Sequence, residues 1–184
     1  MLLRNPTLDE RKDIIPFIAA NRDLALFIGT NAGLDSDLLA LEYDLFGDFV
    51  CDLVVGDSRT NSYLLVEFED AKPDSLFVKK HNKSTPDWSP RFERGFSQVV
   101  DWFWRLSDAE KSDDYHHRFG TRRATMHGMV VVGRDQQLAD RELRRLNWRQ
   151  DLTIVHSRKI SIMTYDQLVR DLKYSLGRYS GASR

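Results

Sequence analysis

The chain has 184 residues, 41% hydrophobic and 30% charged, a balance that excludes a disordered or membrane-embedded protein and suits one domain with a sizeable core. No apolar run approaches the roughly 20 residues that span a bilayer. The 27 basic and 28 acidic residues nearly cancel to a formal net charge of −1, so no global field attracts nucleic acid and any polyanion must be met by a local patch.

The N-terminus, MLLRNPTLDERK, has no signal-peptide pattern, and a cytoplasmic location is expected. Thr7–Ile28 predicts a helix, with Thr7 and Glu10 as a capping box and Pro16 as a break or kink. Gly29–Gly33 ends it. Leu34–Leu45 predicts a second short helix, with Leu38, Leu41 and Leu45 on one face and Glu42 on its polar side. Phe49–Val55 and Ser62–Glu69 then predict two strands of a hairpin, rich in Val, Leu, Phe and Tyr and joined by the polar Gly56–Asn61. Cys51, the single cysteine, precludes an intrachain disulfide and a cysteine zinc site; alternating with Asp52, it points into the core.

If Ser62 pairs with Asp57, Asp52 lies opposite Glu67, and Glu69 shares a face with Glu67. Three carboxylates then meet on a hairpin that is otherwise almost all apolar. Like charges opposite one another destabilise a sheet, and buried carboxylates are costly unless paired. A hard divalent cation, Mg²⁺ or Mn²⁺, is the partner that oxygen donors suit. The competing reading is a solvent-facing strand edge with a chance run of acids.

Ala71–Trp88 reads as a connection with a turn around Ser75–Lys79. Ser89-Pro90 opens a helix with Ser as N-cap and Pro at the first position. Phe92, Phe96, Val99, Phe103 and Leu106 form its core stripe, with Arg91, Arg94, Gln98, Trp102 and Arg105 on another face. Lys79, Lys80, Lys83, Arg91 and Arg94 against Asp87 and Glu93 make a local excess of positive charge, or an ordinary solvated loop. Ser107–Thr125 reads as a polar loop, in which Asp113, Asp114, His116 and His117 match no compact metal site. Met126–Gly133 and Leu152–His156 predict strands. Leu138–Arg149 predicts a helix with Leu138, Leu143 and Leu146 inward, and Tyr165–Leu176 a closing helix capped by Thr164. One domain over residues 1–176 is expected, followed by a flexible tail at 177–184.

The acid on the first hairpin strand, the paired acids ending the second, and the following helix–strand–helix–strand order resemble the PD-(D/E)XK nuclease superfamily. More narrowly, DFVCDLVVGD, LLVEFEDAKPDSLF and RFERGFSQVVDWFW resemble the Shedu-type domain of bacterial anti-phage defence. The resemblance implies an α/β, restriction-endonuclease-like core, a mixed central sheet of about four strands flanked by helices. It also implies a metal-dependent phosphodiesterase acting on DNA, with Mg²⁺ or Mn²⁺. By position, Asp52 and Glu67 become the principal metal ligands, joined by the Phe68 carbonyl. Glu69 fills a slot that usually holds lysine, where it would bind metal or act as base. Gln98 matches a glutamine that faces the site, and Glu10, or else Glu42, would be an outer acid. Lys72 would supply a migrated ammonium group or be a plain loop lysine. With Lys79, Lys80, Arg91 and Arg94 it is the set expected to hold the DNA backbone. Two alternatives stand beside the enzyme: a nuclease fold that binds nucleic acid without cleaving, and an interaction module whose Trp88, Trp102 and Trp104 build an oligomer interface. A homo-oligomer without membrane attachment is expected.

Overall fold

The computed structural model describes residues 5–80, 83–155 and 157–181. At its centre, β2 (Phe49–Asp57) and β3 (Ser62–Phe68) pair antiparallel in the expected register, from Asp57 opposite Ser62 to Leu53 opposite Val66. The segment before them corrects the sequence reading. Where Leu34–Leu45 predicts a helix, the chain forms β1 (Leu38–Leu45), antiparallel to β2 from Leu38 opposite Gly56 to Leu45 opposite Phe49. Phe46 and Gly47 both take positive φ, 58° and 79°, and this tight reversal returns β1 along β2. Leu39 with Leu41, and Tyr43 with Leu45, two apart within each pair, then suit a strand as well as the helical spacing would have suited a helix.

From β3 the chain crosses through α3 (Pro90–Ala109) and α4 (Asp113–Phe119) to β6 (Thr125–Val131), which lies parallel to β3. A second crossover through α5 (Asp140–Leu152) and the short β7 (Ile154–Val155) leads to β8 (Arg158–Met163), parallel to β6 and antiparallel to β7. The sheet order is β1-β2-β3-β6-β8-β7, six strands rather than about four, because β1 replaces a predicted helix and β8 follows the expected Leu152–His156 strand, of which only β7 forms. His156 itself lies outside the described residues. Within the Ala71–Trp88 connection, β4 (Phe77–Val78) pairs with β5 (Asp87–Trp88).

Each sheet face is covered by helices. Phe92, Val99, Trp102 and Phe103 of α3 pack with Tyr63, Leu65 and Val130 on one face. On the other, α6 (Tyr165–Gly181) and the N-terminal turns pack over Leu53, Leu64, Val66 and Phe68. The N-terminal segment is not one helix: Asp9, rather than Thr7, caps a π-turn at Glu10–Ile14, followed by α1 (Ile15–Ala20), α2 (Arg22–Leu26) and a 3₁₀ stretch at Phe27–Ala32. Pro16 at the start of α1 lacks the N–H that a continuous helix would use there.

Further differences follow from packing. Ser107–Thr125 holds the end of α3 and all of α4, because Tyr115 and Phe119 have a core to enter. Trp102 is fully buried rather than on a polar face, whereas Leu143 is exposed. The closing helix, capped by Thr164 as expected, runs on to Gly181 rather than ending at Leu176. Among the described residues no helix is long and apolar enough to cross a membrane.

At Gly128 the sheet comes close under α3: a Cβ there would stand 2.5 Å from Val99 Cγ1 and 2.8 Å from Phe103 Cζ. Val99 is stiff and Phe103 is buried, so relief requires the helix to shift. We expect Gly128→Ala to lower stability by about 1–3 kcal/mol in urea denaturation.

Candidate functional site

The site forms where β2 and β3 part. Their ladder ends at Leu53 and Val66, while β3 continues beside β6 to Phe68 opposite Val131. The Phe68 N–H, left without β2, donates instead to Asp52 Oδ2 at 2.7 Å. A change of face lies at the same point. Leu39 and Leu41 pack into one core but Tyr43 and Leu45 into the other, and Leu53 and Cys51 divide likewise. Residues two apart on a regular strand share a face, so both strands turn over between these pairs, at Glu42 (φ 46°) and Asp52.

Glu67 and Glu69 share the face beneath α3, as their spacing predicts. A Cβ on Gly95 would lie 3.0 Å from Glu69 Cγ and 3.5 Å from Glu67 Cγ, so glycine in mid-helix lets α3 descend onto the acids. Below them the Glu69 backbone is fixed: its N–H donates to the Val131 carbonyl at 2.9 Å and its carbonyl accepts from Tyr165 Oη at 2.8 Å. Glu10 arrives from far away in sequence. Leu8 and Ala71 bond reciprocally, and the Glu10 N–H then donates to Asp70 Oδ1 at 2.8 Å.

These carboxylates perturb one another. Burial, with the Asp52, Glu69 and Glu10 charges added, pushes Glu67 well above the usual carboxylate range. Burial also raises Asp52, against the Phe68 N–H that favours its anion, and Glu10 and Glu42 raise it further. Burial lifts Glu69 to about 7 although Arg94 opposes it. Glu10 is raised by burial and by Asp70. Of the two candidate outer acids, Glu10 bears on Asp52, Glu67 and Glu69, and Glu42 on Asp52.

The cations divide between two places. Arg91 and Arg94 each pair with an acid: Arg94 Nη2 lies 3.2 Å from Glu69 Oε1, and Arg91 Nη1 lies 2.7 Å from Asp70 Oδ2 and 3.6 Å from Glu69 Oε2. Lys72 pairs with Asp70 at 2.5 Å and Asp9 at 3.6 Å, so it neutralises acids beside the cluster. Burial works to raise Asp70, but Lys72, the Glu10 N–H and Arg91 outweigh it and hold its carboxyl low. Lys79 and Lys80 line a separate cleft of about 840 Å³ with Lys83, Arg141 and Arg145, and Lys80 and Lys83 share Asp87. Gln98 is half-buried on the α3 face that carries Arg91, Arg94 and Gly95, one turn beyond Gly95.

The donors at Asp52, Glu67 and Glu10 are all oxygen, crowded and short of countercharge, which is the chemistry of a hard divalent cation site. Among the described residues no three His, Cys, Asp or Glu side chains already stand as a metal-ligand set. Asp52 and Glu67, both raised by burial, are the candidate ligands for such an ion, with the Phe68 carbonyl as a backbone candidate. Sequence reasoning missed Asp70, Gly95 and Tyr165. Two signals were present: Asp70 directly follows the paired acids, and Gly95 interrupts a helical stripe.

Raised carboxyl groups set the sign of the pH dependence. Glu69 binds a proton up to about 7 in the folded state and up to its ordinary value of 4.5 when unfolded, so folding takes up protons between those limits. Stability should fall as pH rises through this window, by roughly 3 kcal/mol for Glu69 alone. In metal-free buffer we expect the melting temperature to drop from about pH 5 to about pH 8, and Glu67→Gln to flatten that drop. A rise over the same range would contradict the electrostatics.

No curated protein matches the chain. The family model described as Shedu protein SduA, C-terminal, matches residues 7–169, a span that holds Glu10, Asp52, Glu67, Glu69, Asp70, Arg94 and Gln98. The chain belongs to the Shedu SduA C-terminal family.

Proposed function

We propose that this domain is a metal-dependent DNA endonuclease of the PD-(D/E)XK kind, and its family associates it with anti-phage defence. The observation that carries the proposal is the Asp52–Glu67 pair: two carboxylates brought together where β2 leaves β3, each raised by burial and, at Glu67, by its partner's charge. Such a pair costs stability unless an ion is shared. When bound, a divalent cation supplies positive charge that acidifies water and offsets charge building on the phosphate.

Asp52 and Glu67 would hold that ion, with the Phe68 carbonyl beside them and Glu10 behind. Asp52 is oriented for this by the Phe68 N–H, which occupies Oδ2 and leaves Oδ1. Gln98 would hydrogen-bond water or a phosphate oxygen from α3. Hydrolysis adds water oxygen to phosphorus and breaks the bond to the leaving oxygen, which takes up a proton. Lys79 and Lys80, in the basic cleft, would hold the flanking backbone without sequence choice.

A second reading, a nucleic-acid-binding domain that no longer cleaves, is favoured by Glu69, which occupies the lysine slot and is engaged by Arg94. Plasmid cleavage separates the two. With Mg²⁺ or Mn²⁺, we expect wild type to nick supercoiled DNA and Asp52→Ala and Glu67→Ala each to lose about 100-fold or more. Equal nicking by all three proteins would mark contamination and defeat the enzyme reading. Salt-sensitive DNA retention without cleavage would support the second. In a parallel melt, Mn²⁺ should raise the melting temperature of wild type and leave Glu67→Ala unmoved.

A further inference from the structure

Glu69 is the acid of the cluster that Arg94 engages. Its side chain has no solvent exposure, and both of its oxygens accept from Arg94: Nε and Nη2 to Oε1 at 3.4 and 3.2 Å, and Nη2 to Oε2 at 3.3 Å. Arg94, by contrast, is 63% exposed. One edge of its guanidinium is bound to a buried carboxylate, and among the described residues the other, with Nη1, meets no partner. Arg91, one turn earlier, pairs with Asp70 through Nη1 at 2.7 Å and keeps a third of its side chain exposed. Gly95 leaves room for the Arg94–Glu69 pairing, since a Cβ there would stand 3.0 Å from Glu69 Cγ and 3.2 Å from Glu69 Oε1.

A guanidinium fixed on its inner edge suits an anion arriving from solvent. Arginine binds phosphate through directed N–H groups, and an anchored arginine loses less rotamer freedom on binding than a free one. The cluster beneath is otherwise strongly acidic, with Glu10, Asp52 and Glu67, so a phosphodiester needs cations at the entrance. We infer that Glu69 is a positioning residue which holds Arg94, beside Arg91, as the fork that receives a backbone phosphate at the mouth of the Asp52–Glu67 cleft. This assignment rests on the nuclease reading and removes Glu69 from the roles of metal ligand and base. The positive charge that a lysine would bring from β3 comes here from α3, with Glu69 as its countercharge.

The test is binding of a labelled DNA duplex in chelator-containing, low-salt buffer, so that metal and turnover play no part. Arg94→Ala should weaken binding about 10-fold and Arg94→Lys by less. Glu69→Gln should also weaken it several-fold, although removing a negative charge from a DNA-facing site ordinarily strengthens binding. The double variant should bind no worse than Arg94→Ala, since Glu69 acts through Arg94. Mn²⁺ affinity by calorimetry should be unchanged in Glu69→Gln. Unchanged or tighter DNA binding by Glu69→Gln, or a loss of Mn²⁺ affinity of about 10-fold, overturns the assignment and leaves the nuclease reading standing. Wild type that retains no DNA overturns both. Arg94 is exposed and its variants should fold, so if Glu69→Gln does not, full DNA binding by Arg94→Ala is the overturning result.

Discussion

Glu69 is a carboxylate with no access to water, and much of the surrounding structure is arranged to tolerate it. Burying such a charge alone is prohibitive; it persists by taking up a proton or by finding a directed cation. Arg94 supplies the cation, Gly95 lets the helix that carries it come close enough, and Tyr165 and Val131 secure the backbone below. Asp52 and Glu67, next to it, have no such partner among the described residues. The site is thus divided between a neutralised acid and an unneutralised pair, and the proposed ion site and phosphate fork both rest on that asymmetry.

The location follows from strand polarity. β3 has an antiparallel neighbour in β2 and a parallel one in β6, and the two stop accompanying it at different residues. Past Val66 the β2 ladder has ended while the β6 ladder continues, so at its carboxyl end β3 meets the Asp52 side chain instead of the β2 backbone. The crossover from β3 to β6 must pass over this face, which places α3 and its arginines above Glu67 and Glu69. The N-terminal segment, tied to Ala71 and Asp70, closes the remaining side with Glu10.

Cys51 illustrates how function and packing share a strand. It is fully buried on the face of α3, although Leu53, two residues on, packs against the opposite core. The turnover between them directs Asp52 toward the Phe68 N–H. Glu42, opposite, carries the positive φ that accompanies the turnover. A non-glycine residue in that conformation marks local strain of a kind often found at functional sites.

Much was legible in residue order alone. The hairpin register, taken from a pairing of Ser62 with Asp57 across the polar segment between two apolar strands, is the one that forms. The Ser89-Pro90 start of α3, the Thr164 cap and the shared face of Glu67 and Glu69 followed from local rules that hold in any surroundings. Leu34–Leu45 did not, since its leucines satisfy periods of both three to four and two, and the reversal at Phe46–Gly47 decides between them. Only the assembled fold determines that Glu10 meets Asp70, that Asp52 turns into the sheet edge, and that Arg91 and Arg94 pair with acids of the cluster while keeping part of each side chain exposed. Those are contacts between distant segments, and the free energy that selects them, burial of charge against its countercharge, does not exist until the segments are packed together.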